Sequence, residues 1–124
     1  MIQTLADIQV LFVCGMHIFF MILEMFLWQK PLGLRIFRNT AEKARLSSAL
    51  AANQGLYNGF LAAGLIWGMV NPNPDFAVQV KMFFLGCITI AGIYGGYSVN
   101  KRIFYIQSLP AVLAMYLIYV SNFQ

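Results

Sequence analysis

Charge is what this sequence has least of. Eight basic and four acidic residues among 124 leave it 10% charged, where a soluble domain carries about 25%. With 60% hydrophobic residues and a mean hydropathy of +0.72, a water-soluble globular domain is excluded and a polytopic membrane protein is expected. Histidine and cysteine are scarce too, with one His and two Cys. Cys14 and Cys87 each sit inside an apolar run and read as buried thiols rather than a disulfide. Cys14, His17 and Met21 share one helical face, and thiolate, imidazole and thioether together suit copper(I). No CxxC and no second His completes such a set, so no metal and no cofactor is expected. Walker, Rossmann, zincin and nucleophile-elbow patterns are missing, and no Ser has a visible base, so no catalytic residue is assigned. A basic n-region with a small-residue cleavage site is also missing, and the first apolar run is therefore read as a retained span.

What the chain does have is four long apolar runs. The first, Thr4 to Trp28, exceeds the roughly 20 residues needed to cross a bilayer. Gln29-Lys30-Pro31-Leu32-Gly33 ends it with two breakers, and a basic connector follows. Asn39 and Glu42 have capping-box spacing, which starts a second helix near Thr40 and a span over 49–70. Asn71-Pro72-Asn73-Pro74-Asp75 makes the next turn, with Asp75 as cap of a third helix over 76–99. A fourth helix covers 103–120, and Pro110 inside it should kink it or free a carbonyl. The fold class is thus all-α: one domain over 1–124, four transmembrane helices in a compact bundle.

The basic residues orient this bundle. Lys30, Arg35, Arg38, Lys43, Arg45, Lys101 and Arg102, seven of the eight, lie in the first and third connections. The positive-inside rule places those connections in the cytosol and both termini outside. The net charge of +4 is therefore topological, and no nucleic-acid partner is expected. The lipid bilayer is the expected partner, and a bacterial inner membrane the expected location.

Depth then follows from residue number. Glu24 lies in the cytosolic third of the first helix, two turns from His17 and on the same face. An acid inside a span costs about 2.5–3.5 kcal/mol to insert, which makes it a functional hypothesis by default. Asn53, Gln54, Tyr57 and Asn58 lie at that level in the second helix, Tyr94 in the third and Gln107 in the fourth. A polar pocket around Glu24, open to the cytosol or inner leaflet, would satisfy all of them. The bland alternative is helix packing, because Gly55-Gly59, Gly64-Gly68 and Gly92-Gly96 all have GxxxG spacing. His17 reads as an interior histidine, and Trp28, Tyr116 and Tyr119 as interfacial aromatics.

Glu24-Met25-Phe26-Leu27-Trp28 followed by Asn53-Gln54-Gly55-Leu56-Tyr57-Asn58-Gly59-Phe60 resembles a family of small bacterial membrane proteins, domain of unknown function 1304. The resemblance covers essentially the whole chain and implies a four-span inner-membrane protein with no activity to carry over. A second, weaker similarity is to the proteobacterial antimicrobial compound efflux family. There the Glu follows the His by five residues; here it follows by seven.

Three functions fit these residues. One is a small transporter or binding protein for cationic or amphipathic compounds, exchanging them for protons at Glu24 and working as a homodimer through a glycine-lined face. Another is an enzyme acting on a lipid or isoprenoid headgroup, which needs Tyr57 or His17 as the partner of Glu24. The third is an envelope-integrity or stress protein in which the polar cluster fixes helix packing.

Overall fold

The computed structural model describes all 124 residues, and the chain is α-helical with no strand. Its elements are α1 (Ile2–Met25), α2 (Pro31–Phe37), α3 (Ala41–Val70), α4 (Pro74–Ser98) and α5 (Lys101–Phe123). Three of them, α1, α4 and α5, are long and apolar enough to cross a membrane. That corrects the expected four. The helix expected to supply the other span is present as α3, 30 residues long. Its amides and its charged first turns lower its hydropathy below that of the others.

Helix starts follow the capping residues rather than the breakers. Pro31 opens α2 instead of merely ending α1, since a missing N–H costs nothing at the first helical position. Arg38 closes α2 in the left-handed region (φ 53°), its N–H returning to the Arg35 and Leu34 carbonyls. Thr40, not Asn39, caps α3, with Oγ1 accepting from the Lys43 N–H at 3.2 Å. Asn73, not Asp75, caps α4, with Oδ1 accepting from the Phe76 N–H at 3.1 Å. Asn100 does the same for α5, accepting from the Arg102 N–H at 2.9 Å.

Pro110 acts through the turn before it. Residues Phe104–Ser108 form a π-helical turn in which the Leu109 N–H reaches the Phe104 carbonyl. The wider turn accommodates a residue with no N–H of its own. It also aims Ser108 at α4, where Oγ donates to the Thr89 carbonyl at 2.8 Å.

The chain divides into two compact units, and the division falls within α1 and α3. One unit comprises Met1–Cys14 and Ala63–Gln124. Its core is Val10, Val13, Leu65, Leu85, Ile88 and Ile118, and α4 packs along the π turn and the rest of α5. The other, Gly15–Ala62, holds Glu24 of α1 and the polar residues singled out in α3. There Leu23, Ala44, Ala51 and Ala62 are buried, and small residues let helix backbones approach closely.

Candidate functional site

Within the Gly15–Ala62 unit, Glu24 and Asn58 meet. The Asn58 amide Nδ2 donates to Glu24 Oε1 at 3.0 Å, and both residues are buried, at 5% and 7% exposure. The approach that makes this bond possible is set by glycine. A Cβ on Gly55 would stand 2.7 Å from Met25 Cγ, 3.0 Å from Glu24 Cβ and 3.2 Å from the Met21 carbonyl. One on Gly59 would stand 2.8 Å from Met21 Sδ. The GxxxG pair and the carboxylate–amide bond are therefore parts of one seam.

The seam is braced at its α2 end. Trp28 Nε1 donates to Ser47 Oγ at 3.1 Å, and the Trp28 ring lies tilted against Phe37 with centroids 4.7 Å apart. Trp28 thus ties the segment after α1 to α2 and α3. Gly33 lets α2 lie directly on the carbonyls of Leu27 and Trp28.

Glu24 is not paired with the basic connector, since Lys30 and Arg35 are exposed. What faces it is a neutral amide. Such a pair can serve either protonation state, because an amide both donates and accepts. His17 is fully buried one heptad earlier on α1, with its ring edge-to-face against Phe20 at 6.0 Å.

Within this unit, the other α3 residues expected at the pocket do not gather at Glu24. Asn53 and Gln54 are exposed on α3, and Tyr57 is 62% exposed. Tyr94, 70% exposed, and the half-buried Gln107 belong to the other unit. Gln107 Cβ lies against Gly92 there. Within the Gly15–Ala62 unit, Glu24 and Asn58 form a close-packed two-residue contact.

An ion pair elsewhere in the chain was not expected from the sequence. Lys81 is buried, at 6% exposure, with Nζ 4.0 Å from Asp7 Oδ1 in the unit that holds both. Lys81 is the one basic residue outside the two basic connections. A lone ammonium seven residues into an apolar helix is itself the signal that could have found it.

Residues 11–119 match the profile of a family described as "Protein of unknown function (DUF1304)". The chain is also similar to the uncharacterized protein YpaA of Lactococcus lactis subsp. lactis (strain IL1403). The two are 31% identical over 99 residues, covering 78% of this chain and 82% of that relative. No solved structure matches.

Proposed function

We propose, for this chain, which belongs to the DUF1304 family, a role as a small inner-membrane protein that binds or exports organic cations in exchange for protons at Glu24. The observation that carries the reading is a buried carboxylate bonded to a neutral amide rather than to a cation. Burial in low-dielectric surroundings penalises the charged form of a carboxyl group, whereas a cation beside it favours that form. Cation and proton then compete for one site, and each changes the affinity for the other by the same factor. In this reading α3 is the fourth span, the basic connections face the cytosol, and both termini lie outside. Glu24 sits near the inner leaflet, where an amphipathic cation partitions.

The enzyme reading draws less support. Its acid–base partner would be Tyr57 or His17, whereas Asn58, the residue bonded to Glu24, does not titrate. The packing reading is favoured by one specific observation, the close approach of Gly55 to Met21, Glu24 and Met25. In that case the carboxylate–amide bond only fixes α1 on α3.

Ligand-induced stabilisation separates the two. A ligand at about 100 times its Kd stabilises the folded state by about 2.7 kcal/mol. Wild type in lipid nanodiscs is expected to gain this with tetraphenylphosphonium, and to gain less at acid pH. Glu24→Gln keeps the size and hydrogen bonding but removes the titration, and is expected to gain nothing. Equal, pH-independent gains in both proteins would leave the packing reading in place.

A further inference from the structure

We infer that the face of α3 bearing Leu46, Leu50, Asn53, Tyr57 and Phe60 is where two copies of this chain pair, α3 against α3, about an axis along the membrane normal. The inference rests on α3 being a span, as proposed above, and adds the partner and the surface.

The spacing of these residues is four, three, four, three, the repeat that keeps one seam facing a partner helix. All five are exposed: Leu46 70%, Leu50 75%, Tyr57 62%, Phe60 53%, and Asn53 with them. The opposite side of the same stretch carries Ala44, Ala51, Gly55 and Asn58, all buried. The chain's own packing therefore uses one side of α3 and leaves this one open.

The open side matches neither solvent that would bathe it. Leu46 lies before the expected membrane entry near Ala49, where water is its neighbour. Asn53 and Gln54 lie beyond that entry, where an unpaired amide in hydrocarbon is costly. A second copy in the same orientation resolves both conflicts. Leucine meets leucine, and Asn53 meets Asn53, each amide donating to and accepting from the other. One Asn in such a seam is also a device that fixes register and the number of helices.

Other faces lack this argument. The exposed side of α4 carries Phe83, Ile90 and Ile93, which lipid already suits. The glycines, expected to form the dimer face, are engaged inside each unit. Gly55 and Gly59 meet Met21, Gly64 meets the Phe84 ring, Gly68 meets Lys81 and Gly92 meets Ser108.

Disulfide cross-linking in native membranes tests the surface. Cys14 and Cys87 are first replaced by alanine in the full chain, and single cysteines are placed at Leu50, Asn53 or Tyr57. Arg45 and Ala63, exposed on the flank of the same helix, serve as controls. Oxidation with copper phenanthroline is expected to give disulfide dimers several-fold faster at the three seam positions than at the two flank positions. Equal rates at all five, or faster rates on the flank, overturn the assignment. Light scattering of the unsubstituted chain in mild detergent is a second readout: two copies are expected, and a monomer overturns the pairing. Repeating the cross-linking with Glu24→Gln separates this inference from the cation reading. A retained pattern with cation binding lost in the variant alone supports both. A retained pattern with no effect on binding removes only the cation reading, and a lost seam pattern in wild type removes only the pairing.

Discussion

Gly55→Leu is expected to destabilise the protein by about 3–4 kcal/mol, combining overpacking of a tight contact with the loss of a buried hydrogen bond. The Cβ alone would press on Met25 Cγ, Glu24 Cβ and the Met21 carbonyl, and the last of these is backbone that cannot rotate aside. Three further carbons would force α1 off α3 at the level where Asn58 donates to Glu24. The carboxyl would then be left buried without its amide. Unfolding in mixed micelles with increasing dodecyl sulfate, followed by tryptophan fluorescence, reads the loss. Gly59→Ala is the matched control. Its Cβ would meet only the Met21 side chain, which is flexible and adaptable, and a much smaller loss is expected. Equal, small effects at both positions would mean that the seam is not close-packed at Gly55.

Gly92→Ala is expected to cost about 1–3 kcal/mol, the usual range for a methyl group forced into a filled space. Here the space is filled by the π turn. The new Cβ would collide with Ser108 Oγ and stand 2.8 Å from the Ser108 backbone N. Relief requires α4 and the π turn to separate, which breaks the bond from Ser108 Oγ to the Thr89 carbonyl. Ser108→Ala removes the hydroxyl in that collision but not the backbone contact. Combined with Gly92→Ala it is therefore expected to cost less than the two single losses added together, a coupling that a double-mutant cycle measures. Strict additivity would place the strain elsewhere.

The all-helical class and the ends of α3 and α4 were legible in the sequence, because apolar runs and Pro/Asn clusters are local signals. The errors lay where one residue type serves two purposes. Pro31 and Gly33 are breakers in a list of propensities. In the structure Pro31 is a helix start, and Gly33 is the gap that lets α2 settle on the end of α1. Asn73 and Asp75 are both good caps, and only the geometry of the turn selects Asn73. The partner of Glu24 was half legible. Asn53 with Tyr57, and Gln54 with Asn58, share the same spacing, so the amides alone cannot say which side of α3 turns inward. Gly55 can. Asn58 follows it by three and shares its face, whereas Asn53 precedes it by two and points away. The outward direction of Asn53, Gln54 and Tyr57 was not legible, because depth, read from residue number, says nothing about the direction a side chain takes around its helix.

Proton counting tests the central claim most directly. Wild type in a lightly buffered suspension of nanodiscs at neutral pH is mixed with tetraphenylphosphonium, and a pH indicator reports the protons released. Release of a proton on cation binding, at most one per cation, is expected from wild type, because cation and proton compete for a single carboxyl group, and none from Glu24→Gln. Cation binding without proton release, or the same release from both proteins, would contradict it.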